Sequence, residues 1–294
     1  MKIQSRNMDR MTKVLIYVIL IALAISIIVP VAWVFMASVK ENSEFYGNPW
    51  NMPKGFYIQN FADAWNKASM GDYMLSSVIT TTLSLVILLI VALPAAYYMA
   101  RFRFKARGFL QTCFMGGLFI NVNYIVVPIF LMLVDGDKLL KPILGHGILL
   151  NNLVVLSVIY AATALPFTIY LLSGFFSTLP MDFEEAAYLD GAGCWRTMIQ
   201  IIFPMARPSI ITVILFNFLS FWNEYIIAMT MLTEADGVRT LPVGLMNLTQ
   251  SQQSAAQYGQ LYAGLVLVML PTLILYICVQ KTLTEGMTVG GIKG

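Results

Sequence analysis

Few residues in this chain have the types and spacing that chemistry requires. The carboxylates Glu184, Glu185 and Asp190 cluster in one polar run, residues 184–193 (EEAAYLDGAG), with no His or Lys nearby. Acid/base catalysis needs neighbours that drive two pKa values apart, and none is present. Cys113, Cys194 and Cys278 are odd in number and fall in or beside apolar segments, which argues against a disulfide framework. The lone His146, in a Gly145-His146-Gly147 turn, reads as a loop residue. No familiar metal-ligand spacing can be assembled around it, so neither a catalytic constellation nor a metal site is expected. The chain also has no Gly-x-x-x-x-Gly-Lys-Ser/Thr phosphate loop and is not expected to hold ATP in the P-loop manner. One acid stands apart: Glu224, in Phe221-Trp222-Asn223-Glu224-Tyr225, lies inside an apolar stretch. An ionisable group at depth costs about 3 kcal/mol on insertion scales and should face a bundle interior, cavity or partner. A pathway or gating role and a purely structural pair both remain open for it.

The elements that must position these residues are membrane helices. Of 294 residues, 59% are hydrophobic and 11% charged, against about 25% charged in soluble domains. Uncharged runs repeatedly exceed the roughly 20 residues that a spanning helix needs. Six spans are predicted: residues 14–36, 73–100, 109–134, 151–175, 210–232 and 259–279. The first follows a basic start, but its apolar run is too long for a signal peptide, and it reads as an uncleaved anchor.

Positive loops are retained inside. A cytoplasmic N-terminus places Lys2, Arg6, Arg10, Lys13, Arg101, Arg103, Lys105, Arg107, Arg196, Arg207, Lys281 and Lys293 inside, 12 of the 18 cations. Lys40, Lys54, Lys67, Lys138, Lys141 and Arg239 fall outside. Both termini are therefore expected in the cytoplasm, and the net charge of +3 reflects topology rather than nucleic-acid binding. In the first outer segment, Tyr57, Phe61 and Trp65 are spaced to share one helix face, as an interfacial anchor or a contact for an external partner. The alternating cations and aromatics of 97–107 suit lipid headgroups.

Asn121, Asn123 and Pro128 in the third span and Pro166 in the fourth predict local backbone breaks, which survive in lipid only where protein or a water-lined cavity satisfies them. Asn121 and Asn123 serve equally well as pathway lining or as interhelical glue. Between spans four and five, Asp182 and Glu185 have the spacing of a reciprocal helix cap. Ala186 and Ala187 promise a smooth face, and Asp190-Gly191 a stop. A second helix is expected over 194–203, ending at Pro204. This helix-turn-helix reads equally as an amphipathic interfacial loop or a docking surface.

Residues 185–192 (EAAYLDGA) and the later Ile202-Phe203-Pro204 closely resemble the EAA loop of the integral-membrane permease subunits of binding-protein-dependent ABC importers. The segment 97–107, the run Trp222-Asn223-Glu224-Tyr225 and the ending 286–294 (GMTVGGIKG) are similar to that family's carbohydrate branch, of the maltose-transporter type. Phe203 stands where the family usually has Leu, which keeps a hydrophobic anchor. The resemblance implies an all-α, polytopic fold of six spans with a cytoplasmic coupling helix. A 1–13 N-terminus would be followed by a permease domain over 14–280, with its coupling loop at 178–208, and by a cytoplasmic tail over 281–294.

It further implies coupling through Glu184, Glu185, Ala186, Ala187, Asp190, Gly191 and Pro204, and a tail (Gly290, Gly291, Lys293) that reaches the ATPase dimer interface. Asn121, Asn123, Trp222, Asn223 and Glu224 are candidates for the substrate pathway, because sugar hydroxyls need paired donors and acceptors. The implied partners are a second homologous permease, two cytoplasmic ATPase subunits that carry ATP and Mg, an extracytoplasmic solute-binding protein and membrane lipid. The chain itself would be no enzyme, would bind no cofactor and would reside in a bacterial or archaeal plasma membrane. With no Lys or Arg inside any span, a neutral cargo is favoured over a polyol phosphate, with peptides a further alternative. The alternative of another class is an ion-coupled secondary transporter that uses Glu224.

Overall fold

The computed structural model describes the backbone of residues 2–46, 48–66, 68–233, 238–255 and 257–291, and within these ranges the side chains from 10 to 250 and from 257 to 280. Among the described residues the chain is all-α, without a strand. Among the described residues four helices are long and apolar enough to cross a membrane, or up to six spans if each of two bent helix pairs is one span. The described residues group into two units, Met1–Met70 with Leu245–Met269, and Gly71–Gly244 with Leu270–Gly294.

The first unit holds α1 (Lys2–Ser38) and α2 (Gln59–Asn66). The segment between them is folded by buried polar contacts. Lys40 is buried, donates from Nζ to the Pro49 carbonyl at 2.6 Å and lies 5.8 Å from the Phe45 ring centre. Asn60 Nδ2 donates to the Ser38 and Lys40 carbonyls at 2.9 and 2.8 Å. Glu44 accepts from the Glu41 and Lys54 backbone N–H groups, closing the loop from within. The expected aromatic face is only partly realised, because α2 begins at Gln59 and Tyr57 lies before it. Tyr57 is held instead through its backbone N–H, which donates to the Val39 carbonyl.

The second unit contains α3 (Met70–Arg101), α4 (Arg107–Gly117), α5 (Val122–Leu144) and α6 (Leu153–Phe176). After them come α7 (Asp182–Leu189), α8 (Cys194–Thr197), a π-turn (Met198–Ile202) and α9 (Phe203–Met205). The unit continues with α10 (Arg207–Trp222), α11 (Ile226–Met231) and the start of α12 (Leu241–Ala255). Leu88, Tyr160, Leu172, Phe176 and Ile202 lie at the centre of its core. In lipid such a core is held by packing and interhelical hydrogen bonds rather than by exclusion of water. Asn217 Nδ2 donates to Thr168 Oγ1 at 3.1 Å between α10 and α6, and Ser173 Oγ donates to the Ala96 carbonyl at 3.3 Å between α6 and α3.

The expected breaks fall elsewhere than at the prolines. Pro128 and Pro166 lie inside unbroken α5 and α6. The third span breaks upstream, where α4 meets α5 at 103°. Asn121 marks that restart by accepting the Asn123 N–H at 3.0 Å, a cap that serves an otherwise orphaned donor. Gly117 ends α4 against the Pro166 ring, where a Cβ would come within 2.8 Å. The fifth span is divided at Asn223–Tyr225 into α10 and α11. Residues 241–255, outside every predicted span, form α12. The final helix, α13 (Tyr258–Gly291), carries its helical backbone on into the predicted tail.

Candidate functional site

The helix-turn-helix between α6 and α10 is present, with two changes to its expected ends. Asp182 is the first helical residue of α7 rather than its cap, and the residue before it, Met181, makes no side-chain cap bond. The start is supported instead by Asp182, Glu184 and Glu185 together in the first turn, where negative charge meets the positive end of the helix dipole. The second helix does not stop at Pro204. It passes through the π-turn and Pro204, ends at Met205 and turns by 78° into α10. Pro204 falls in the first turn of α9, directly after the π-turn, where the regular helical bonding is already interrupted.

The stop at Asp190-Gly191 takes a specific form. Gly191 has φ +77°. Its N–H bonds the Tyr188 carbonyl, while the Ala192 N–H bonds the Ala187 carbonyl. These are the two bonds of a Schellman closure, and Ala187 and Ala192, both buried, supply its apolar contact. Ala187 is 3% exposed, whereas Ala186 beside it is exposed. The two alanines therefore point to different sides of α7, and only Ala186 lies on the exposed one.

What the loop offers to the outside is apolar with acidic edges. Leu189 is 90% exposed, and Phe183, Tyr188, Trp195 and Ile199 are exposed with it. Glu185, Ala186, Asp190, Gly191 and Pro204 also lie on the exposed side. Glu184 does not: its side chain is 13% exposed, and Oε1 lies 3.0 Å from Nε of Arg101, which is 5% exposed. The approach is ionic, without the alignment of a hydrogen bond. The same guanidinium donates from Nη2 to the Leu179 carbonyl at 2.8 Å. Sequence reasoning placed Arg101 only as a topology and headgroup cation, since nothing local in the chain links it to Glu184.

The candidate pathway residues differ in their surroundings. Asn121 and Asn123 are exposed at the α4–α5 break, and Asn223 is exposed and donates to the Leu219 carbonyl at 2.8 Å. Trp222 is buried and stacks on Phe218 at 5.5 Å. Glu224 accepts the Ile227 and Ala228 N–H groups at 2.8 and 3.1 Å, which caps α11, and accepts the Tyr160 hydroxyl at 2.7 Å. A carboxylate with these three donors is well satisfied. Asp137, which sequence reasoning passed over, accepts the Ile148, Leu149 and Leu150 N–H groups and closes the turn around His146. Of the candidate tail contacts, Lys293 lies outside the described residues, and only the helical backbone of Gly290 and Gly291 is described.

Four long apolar helices and two bent helix pairs define a multi-pass membrane protein with an apolar-faced loop between α6 and α10. Residues 92–289 match the family of binding-protein-dependent transport system inner membrane components. The diacetylchitobiose uptake system permease protein NgcG of Streptomyces coelicolor is 34% identical over 98% of this chain and 92% of its own length. The melibiose/raffinose/stachyose import permease protein MelC of Bacillus subtilis is 28% identical over 90% of this chain and 91% of its own. A bacterial ABC transporter involved in the import of the acidic polysaccharide alginate shares the fold, with a TM-score of 0.77 at 22% identity over 93% of this chain and 96% of that one. The chain belongs to the family of inner-membrane components of binding-protein-dependent transport systems, as a permease subunit.

Proposed function

We propose that this permease forms half of the translocation pathway of an ABC importer for neutral oligosaccharides and receives its energy through α7. The observation that carries this reading is the exposed apolar face of α7, with Leu189 90% exposed and the helix closed behind it at Gly191. A cytoplasmic ATPase subunit would seat α7 in a groove, with Glu185 and Asp190 at the rim, as helix-in-groove recognition requires. Two such ATPase subunits would bind ATP and Mg, and this chain would contribute no catalytic group and hold no cofactor. A second, similar permease would complete the pathway, and an extracytoplasmic solute-binding protein would deliver the cargo. Both termini would lie in the cytoplasm, as the distribution of cations favours.

The names of NgcG and MelC support an oligosaccharide cargo, and the lack of Lys or Arg within the six predicted apolar runs supports a neutral one. Closure of the ATPases would displace α7 and switch access between the two sides, a rigid-body form of switching. The test is ATP-driven uptake of a panel of neutral oligosaccharides into liposomes that contain the complex purified with this chain. Uptake that needs ATP and ignores ion gradients supports the reading. Uptake by the chain alone, driven by an ion gradient, would replace it with the secondary transporter.

A further inference from the structure

Glu184 and Glu185 are neighbours with opposite surroundings. Glu185 is exposed, while Glu184 turns inward to Arg101 at 3.0 Å. A pair so little exposed has a desolvation cost that offsets much of its attraction, so stability alone is a weak reason for it. Its geometry serves another purpose. Arg101 Nη2 donates to the Leu179 carbonyl at 2.8 Å and reaches the Pro180 carbonyl at 3.5 Å, so one guanidinium grips both the strap that enters α7 and the first turn of α7. Tyr97, one turn earlier on the same face of α3, is 2% exposed and faces Glu184. Tyr98 Oη lies 3.3 Å from Cys194 Sγ, at the first residue of α8. The last turn of α3 thus holds both limbs of the helix-turn-helix.

The opposite end of α3 is also engaged. Ser77 Oγ accepts the Leu241 N–H at 2.7 Å, and the Tyr73 ring covers Gly244 so closely that a Cβ there would lie 2.1 Å from it. Between Ser77 and Arg101 runs about 36 Å of continuous helix at 1.5 Å per residue.

We propose that Arg101 and Tyr97, acting through Glu184, are positioning residues that make α3 a rod, carrying displacement of α7 to the first turn of α12 on the far side. This rests on the docking of an ATPase at α7 and adds to it a route that the loop motif does not specify. A contact that served only to hold the fold would leave the far end indifferent to the nucleotide state.

The test is hydrogen exchange on the whole purified complex, nucleotide-free against trapped with ATP and vanadate, read at α7 and at residues 238–246. In the wild type, trapping changes exchange at both places. In Glu184→Gln the change at α7 persists, and the change at 238–246 falls by roughly fivefold or more, the scale of ordinary allosteric coupling. Arg101→Lys keeps the charge without the fork, gives an intermediate response, and serves as the readout if Glu184→Gln does not assemble. An undiminished response at 238–246 in both variants overturns the rod while leaving the docking intact. A wild type in which trapping leaves α7 unchanged overturns the docking itself, and the rod with it.

Discussion

The Tyr160 hydroxyl donates to Glu224 Oε2 at 2.7 Å, tying the middle of α6 to the break between α10 and α11. The same carboxylate caps α11 through the Ile227 and Ala228 N–H groups. An acid that first suggests ion coupling is therefore engaged as a structural acceptor at the point where the fifth span divides.

Replacing Glu224 by Gln leaves one acceptor where two oxygens had served three donors. Unsatisfied donors at such a site cost about 1–3 kcal/mol. Glu224→Gln should lower the thermal midpoint in detergent by that equivalent, and Tyr160→Phe by less, while ATP-driven uptake continues. Parallel melting curves and uptake assays check both parts, and loss of uptake without loss of stability would instead mark Glu224 as part of the transport chemistry.

Gly191 holds φ +77°, and a Cβ there would meet no atom within 4 Å. The cost of a side chain is therefore conformational, about 1–2 kcal/mol for a left-handed non-glycine residue. Gly191→Ala should speed exchange of the α7 amides by roughly tenfold, the equivalent of about 1.4 kcal/mol, without preventing insertion. Exchange at α7, compared with exchange in α6, measures it.

At Gly244 the problem is space. Gly244→Ala would drive a methyl group into the Tyr73 ring, at 2.1 Å before relaxation. Overpacking of this kind costs about 1–3 kcal/mol. Combining it with Tyr73→Ala should recover part of that loss, and the non-additivity in a double-mutant cycle is the measurable sign of contact.

Glu44 sets a pH dependence in the segment between α1 and α2. The Lys54 backbone N–H hydrogen bond is the main cause that holds its carboxyl below the ordinary 4.5, against some desolvation, with the Glu41 N–H and the charges of Lys40 and Lys54 adding to it. Because the folded value is the lower one, the stabilisation is fully present above 4.5 and is lost as pH falls through the folded value. Exchange at the Glu41 and Lys54 amides should quicken on acidification below pH 4.5, and Glu44→Gln should show the quickened exchange already at neutral pH.

The parts of this fold that local chemistry dictates are the parts that were legible in the sequence. Six apolar runs match four long helices and two bent helix pairs, and Asp190-Gly191 marks the end of α7, because a left-handed closure has a sequence signature. The break at 118–121 was legible only in part, since Asn121, one of its signals, caps the restart, whereas Leu118, Phe119 and Ile120 are as apolar as any helix interior. The polar helix 241–255 escaped a search for hydrophobic runs for the opposite reason. Periodicity could not separate the inward Glu184 from the outward Glu185, because the partner that distinguishes them, Arg101, is remote in the chain and meets Glu184 only through the fold.

The most direct test of the account is to purify the tagged permease with its partners in mild detergent, as wild type and as Leu189→Glu, and to measure ATPase activity and subunit recovery. Leu189 is 90% exposed at the end of α7, so the substitution burdens docking and leaves the core untouched. Wild type should bring down an ATPase subunit in stoichiometric amount, and Leu189→Glu should lose most of it while keeping the second permease. Equal recovery of the ATPase with both chains would contradict α7 as its docking site.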